Sequence, residues 1–350
     1  MTRLNVGGPT RHISLLNTLL PECGIDGVTL TGPTPPTEGS GAITVQGRII
    51  EITTLERAVS IWADIQAFFA ILRILRKEKP DVVHTHQSKA GFLGRWAAWC
   101  ARVPRVVHTF HGLAFRGYAG VIGSWWIRFI ERVTLRVTDV VICQNSLQEE
   151  ELIDAIGFGV RAKSKIVEPA IEIPARANVE QSIPRRVVFA ARLVPIKDPD
   201  LLLAVVELTD PAVHFDVVGD GVLMTRVRAK VSANPLIRHR VKFWGNIAEP
   251  WDIYQQASVG ILTSVAEGTP LALIELQALG TRVVAPDVGG VRGIVDPRAG
   301  EVVQRTAVDL AAAVMRQLAL GRVTDEARSE IRQKYDGLRL ATEVAAIYRA

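Results

Sequence analysis

The chain has 350 residues, 48% of them hydrophobic and 22% charged, which excludes a disordered chain and exceeds what one core of about 100–200 residues ordinarily fills. Its 41 Lys and Arg against 36 Asp and Glu leave a formal charge of +5. The excess is spread over both halves with no basic tail, which argues against nucleic acid as a partner and fits a phosphate-bearing ligand or an anionic membrane surface. The three cysteines, Cys23, Cys100 and Cys143, are odd in number and show no paired spacing, so free thiols in a reducing cytosol are expected.

Gly7-Gly8-Pro9 opens the first predicted helix, where two glycines and a proline let backbone come close to a phosphate or sugar. Such a pair also reads as a plain turn, and its spacing is not G-x-G-x-x-G. The same glycines fall where a signal peptide needs its apolar stretch, so none is expected. Residues 59–76 contain Asp64 and Arg73 and predict an amphipathic helix rather than a membrane span.

Strands follow at 81–86 (DVVHTH), 105–111 (RVVHTFH) and 139–144, with helices at 89–101 and 146–156. Four histidines sit at two strand ends, with His84 and His86 on one face. No carboxylate or thiol joins them at ligand spacing, so no metal is expected. His84 and His108 read as core histidines, and His111 before Gly112 is better placed for a ligand. Lys89 and Arg95 read as a simple helix face. Trp125, Trp126, Arg128, Phe129 and Arg132 read either as core plus solvated edge or as an interfacial membrane patch.

After a stretch at 169–184 carrying Pro169, Pro174 and Pro184, the pattern restarts. Strands are expected at 186–190, 215–218, 241–244, 259–263 and 282–285. Helices are expected at 199–208, 223–232, 251–257 and 270–279. Continuous β-branched runs between helices indicate parallel strands buried on both faces, hence two doubly wound α/β domains facing a cleft.

Two stretches here suit phosphate chemistry. Arg192 and Lys197 flank a proline-containing loop at a strand's carboxyl end, and can clamp a diphosphate or form a solvated basic loop. Glu267-Gly268-Thr269-Pro270-Leu271 leads into a helix carrying Glu275. Thr269 is expected to cap it, with Pro270 in its first turn. Free N–H groups there suit a phosphate, and Glu275 suits a ribose diol. Both acids also read as ordinary carboxylates near a helix start.

The segments AARLVPIKDPDLLL, VVGDG, VKFWGNI and EGTPLALIELQALGTRVVAPDVGG, with the two glutamates eight positions apart, resemble the retaining nucleotide-sugar glycosyltransferases of family 4. RLNVGGP and DVVHTHQSKAGFLGR with HTFHG resemble the bacterial surface-polysaccharide subset. The resemblance implies the GT-B fold, metal-independent transfer without a cofactor, a nucleotide-sugar donor (most simply UDP-linked) and a glycan or lipid-linked acceptor. It implies a cytoplasmic enzyme, peripheral on the inner face of the plasma membrane. Arg192 and Lys197 would hold the leaving diphosphate, Glu275 the ribose, and Glu267 and His111 the donor sugar. Gly268, Thr269 and Leu271 would lie by phosphate and sugar, Gly219 by the nucleotide, and Gly8 by diphosphate or acceptor.

The implied domains are 1–170 on the acceptor side, a linker at 171–184, a donor-binding domain at 185–323, and a helix at 324–350 packing back on the first domain. The family has an apolar strand before R-L-N-x-G-G. Here only Met1 and Thr2 precede Arg3, so either the chain starts late or its first domain is weakened. An epimerase or phosphorylase of the same architecture, and an inactive binding scaffold, are the alternative readings.

Overall fold

A computed structural model describes residues 1–4, 7–34, 45–56, 58–111, 120–173 and 182–350, the side chains of 120–122 aside. Gly112 and the middle of the proline-rich stretch, Pro174 included, therefore lie outside the described residues. The chain forms two compact units, one of Met1–Ala170 with Gly337–Ala350, the other of Ile171–Asp336.

In the first unit, helix α1 (Gly8–Leu19) is followed by a parallel pair, β1 (Val28–Thr31) and β2 (Arg48–Glu51). Helix α2 (Ile61–Glu78) then leads to a parallel sheet of β3 (Val82–His86), β4 (Arg105–Thr109), β5 (Val140–Cys143) and β6 (Ser164–Ile166), in that order. Helices α3 (Ser88–Ala101), α4 (Gly120–Thr134) and α5 (Ser146–Ile156) connect its strands. Among the described residues these strands therefore fall in two sheets. Among the described residues before α1, Arg3 bridges Gly32, and the Thr2 amide donates to Gln87 Oε1, just past β3, at 3.0 Å.

Arg95 is not on a solvated face. The spacing on α3 turns it inward, where it is 1% exposed and its Nη2 donates to Glu131 Oε2 of α4 at 2.7 Å. Lys89 is held too, its ammonium paired with Asp64 and donating to Ala58 O.

The second unit carries one six-stranded sheet, all parallel: β7 (Arg186–Ala190), β8 (His214–Val218), β9 (Val241–Gly245), β10 (Val259–Ile261), β11 (Arg282–Pro286) and β12 (Gly300–Val303). The spatial order is β12-β11-β10-β7-β8-β9. The β-branched run of β7 is buried on both faces, as a central parallel strand must be. Val187 and Phe189 pack with Leu202, Val227 and Leu310, from α6 (Pro199–Leu208), α7 (Met224–Ala233) and α11 (Ala307–Ala319). Val188 packs with Tyr254, Ile274 and Ile294, from α8 (Trp251–Gln256), α9 (Leu271–Ala278) and α10 (Val291–Ile294).

The chain end departs from the expected single helix over 324–350. Helix α12 (Asp325–Lys334) stays in the second unit, because Ala327, Ile331 and the following Tyr335 enter its core. Only α13 (Gly337–Arg349) joins the first unit, where Leu340 and Val344 pack with Leu15 and Leu16 of α1. A Cβ at Gly337 would stand 2.8 Å from Leu19 Cδ1, so glycine permits that approach. The expected linker also begins too early. Ile171 is 8% exposed, enters the second unit's core, and its amide donates to Tyr335 O at 3.0 Å.

The Arg95–Glu131 ion pair is buried, with side chains 1% and 5% exposed. Removing one partner leaves an uncompensated interior charge, at a cost of about 3–5 kcal/mol. Glu131→Ala is expected to lower the unfolding free energy by that amount, read as a lower denaturant midpoint with an unchanged slope. A loss below about 1 kcal/mol, the range of exposed pairs, would contradict the burial argument.

Candidate active site

Strand order decides where the second unit can hold a ligand. The chain leaves β7 for β8 and β9 on one side, then returns to β10 on the other side of β7. Connections that depart in opposite directions open a crevice beyond the carboxyl ends of β7 and β10.

Two loops meet there. After β7 run residues 191–198, and after β10 run residues 262–270. The Val265 amide donates to Ile196 O at 2.9 Å. Thr263 Oγ1 donates to Lys197 O at 2.8 Å and to Asp198 O at 3.0 Å. This lacing sets Lys197 Nζ 2.5 Å from Glu267 Oε1, and Ser264 Oγ donates to the same oxygen at 2.5 Å. Both side chains are largely withdrawn from water, Lys197 at 20% and Glu267 at 8% exposure. Arg192, at the start of the first loop, is exposed and takes part in no ion pair among the described residues.

Arg305, after β12, ties the two loops together. It pairs with Asp198, and its Nε donates to Ser264 O at 3.1 Å. Asp198 also caps α6, accepting from the Leu201 amide at 3.2 Å, with φ of 45°. A non-glycine residue in that region is strained, and the ion pair and the cap together hold it.

Two glycines bring neighbouring loops close. Gly219, with φ of 130°, follows β8. A Cβ there would stand 2.1 Å from Ala191 O, so only glycine lets these loops touch. Its amide donates to Gly245 O at 2.7 Å, which joins residues 218–220 to the end of β9. Nearby, Trp244 Nε1 donates to Asp216 Oδ1 at 2.6 Å, and Lys242 Nζ lies 3.6 Å above the Trp244 ring. Gly289, with φ of 51°, lies against the backbone of Glu267, and a Cβ there would be 1.9 Å from Glu267 O.

Helix α9 starts at Leu271, with Pro270 as its N-cap and no side-chain cap bond. The N-cap position is thus Pro270, one residue after the expected Thr269. Pro270 is extended, with ψ of 97°, which sets the helix start one residue later. Gly268 and Thr269 precede this start, and Glu275 lies within the helix at 2% exposure. Arg192, Lys197, Gly219, Glu267, Gly268, Thr269, Leu271 and Glu275 thus all belong to the carboxyl-end loops and helix of one sheet. Sequence reading missed Ser264, Asp198 and Arg305. Asp198-Pro199 carried a visible cap signal, but nothing local marks Arg305.

Gly8 and His111 belong to the first unit. Gly8 is the first residue of α1. His111 lies two residues past β4, its Nε2 2.9 Å from His86 Nδ1. His108 is a satisfied core histidine, bonded to Thr85 Oγ1 at 2.8 Å. His84 is likewise engaged, by Tyr348 Oη at 2.6 Å and Thr109 Oγ1 at 2.7 Å. His12, on α1, joins the group unexpectedly, and its ring lies 5.1 Å from that of His111. Burial holds His12 at a pKa of about 4 and His84 at about 3, and keeps His86 and His111 well below the ordinary range.

A fixed ammonium, a free guanidinium and a helix start over a glycine-rich turn suit recognition of a phosphorylated ligand. Residues 6–173 match the family model Glycosyltransferase Family 4, and residues 184–319 match Glycosyl transferases group 1. The UDP-Gal:alpha-D-GlcNAc-diphosphoundecaprenol alpha-1,3-galactosyltransferase of Escherichia coli is 31% identical over 264 residues, covering 69% of this chain and 67% of that one. A D-inositol 3-phosphate glycosyltransferase of Geodermatophilus obscurus is 30% identical over 287 residues, covering 71% of this chain and 62% of that one. Among solved structures, sucrose-phosphate synthase from Thermosynechococcus elongatus superimposes with a TM-score of 0.80 at 21% identity, covering 98% of this chain and 93% of that one, a likeness of fold.

The fold is thus of the GT-B class and the protein a glycosyltransferase. The chain belongs to glycosyltransferase family 4.

Proposed function

We propose that the enzyme moves a hexosyl group from a UDP-sugar to a lipid-linked or polysaccharide acceptor of the cell envelope, with retention and without a metal ion in the transfer step. The observation that carries this reading is the Lys197–Glu267 pair held between two loops at the sheet's crossing point. An ammonium has three N–H donors. One engages Glu267, and the others are left for a diphosphate oxygen. Arg192, exposed nearby in sequence, supplies a planar fork of donors for the same group.

Charge grows on the diphosphate as the sugar–oxygen bond breaks, so preorganised cations there lower the barrier. Removing one donor of this kind costs about 10²–10³ in rate. In this reading Glu275 accepts from the ribose hydroxyls, and Gly219 lets backbone approach the nucleotide. Gly268, Thr269 and Leu271 present the helix start to phosphate and sugar, and Glu267 faces the sugar. Gly8 and His111, on the other unit, are assigned to diphosphate or acceptor and to the donor sugar. The UDP choice follows the E. coli relative, whose name specifies UDP-Gal and an undecaprenol-linked acceptor.

Peripheral membrane contact completes the proposal. No helix among the described residues is long and apolar enough to cross a bilayer. On α4, Trp125 and Trp126 are 58% and 53% exposed. On α2, Trp62 and Phe69 are 78% and 60% exposed, and Arg73 and Arg76 follow on the same helix. Exposed aromatics beside cations suit the headgroup region of an anionic bilayer. Arg132 adds little to this face, because its Nε donates to Ile156 O at 2.9 Å.

Calorimetric titration with UDP tests the donor assignment. Binding by the full chain is expected, weakened at least about tenfold by Arg192→Ala and by Lys197→Ala. Absence of binding, or full affinity in both variants, would overturn it. Cosedimentation tests the membrane assignment. Binding to vesicles containing phosphatidylglycerol is expected, reduced about tenfold or more in the Trp62→Ser, Trp125→Ser double variant. Equal sedimentation of chain and variant would remove these helices from the interface.

A further inference from the structure

We infer that His12, His86 and His111 form a binding site for a divalent transition-metal ion of the zinc type, an ion that the transfer step itself does not use. The three side chains come from the first helix, the end of β3 and the loop after β4. One ring nitrogen of each lies within 4.8 Å of the others. A tetrahedral ion bonded at 2.0–2.1 Å places its nitrogens about 3.4 Å apart. His86 Nδ1 and His111 Nε2 are already 2.9 Å apart, within hydrogen-bonding distance of each other. The remaining gap closes by rotating the His12 ring about χ2, a soft torsion for imidazole.

His12 carries the argument furthest. It is 4% exposed, and neither ring nitrogen has a hydrogen-bond partner among the described residues. A buried polar group left so costs about 1–3 kcal/mol. A metal ion in reach of its lone pair supplies the missing partner. His84 shows the contrast. Its ring lies 4.2 Å from that of His86, tilted by 37°, yet both its nitrogens are engaged by Tyr348 and Thr109, so it lines the site without ligating.

Donor chemistry selects the ion. Three neutral imidazoles with no carboxylate suit zinc, cobalt, nickel or copper, and do not suit calcium or magnesium, which take oxygen ligands. Three protein ligands leave a fourth position open for water or hydroxide. His111 is also assigned above to the donor sugar, so ion binding and sugar contact by this ring exclude each other.

Cobalt(II) titration of the full chain, with no donor present, tests the site separately from the transfer reading. One equivalent is expected to raise the visible ligand-field bands of tetrahedral cobalt, and zinc is expected to displace them. His12→Asn and His12→Gln are expected to weaken binding about 100-fold or more, and His84→Asn to keep it, with circular dichroism showing all three variants folded. Absence of stoichiometric cobalt bands in the unsubstituted chain would overturn the inference. So would undiminished binding in both His12 variants.

Discussion

The ion pair between Lys197 and Glu267 joins residues 70 positions apart in sequence, and the loops after β7 and β10 meet through it. It exists because β7 and β10 are neighbours in the sheet although two strands separate them in the chain. The crossing brings the loop after each strand to one place. Asp198, Thr263, Ser264 and Arg305 then lace those loops so that one ammonium has a single position. A cation on a freely moving loop would be a weak phosphate ligand. One held by a carboxylate from the opposite loop is preorganised, and preorganisation is what lowers a barrier with developing charge. Gly219 and Gly289 serve the same end, because a side chain at either position would force neighbouring backbone apart.

The first unit is held differently. Its buried Arg95–Glu131 pair links α3 to α4, and α13 returns from the chain end to pack on α1. The exposed aromatic residues of α2 and α4 lie on the same unit as the histidine cluster. The proposed membrane contact and the proposed metal site therefore both lie on this unit, and Arg192 and Lys197, proposed to hold the diphosphate, lie on the other.

Much of this was legible in the sequence, for identifiable reasons. The strands of the second unit are short β-branched runs such as RVVFA, and burial on both faces makes such runs continuous. The loop carrying Arg192 and Lys197 and the turn before Glu275 are local, so their positions at strand ends could be read directly. Contacts between distant residues could not. Arg305 meets Asp198 across 107 positions, and His12 meets His86 and His111 only through the packing of α1 on the sheet. Strands β1 and β2 were missed because they are largely exposed and lack a continuous apolar run. Helices α12 and α13 were read as one because both are amphipathic. The core each enters is decided by which of Ile331, Tyr335, Leu340 and Val344 meets which unit.

A crystal structure of the full chain with UDP bound tests the donor assignment most directly. The diphosphate is expected within hydrogen-bonding distance of Arg192 and Lys197, with the ribose hydroxyls on Glu275 and the Lys197–Glu267 contact retained. A diphosphate bound away from the loops after β7 and β10, or a ribose that leaves Glu275 untouched, would contradict it.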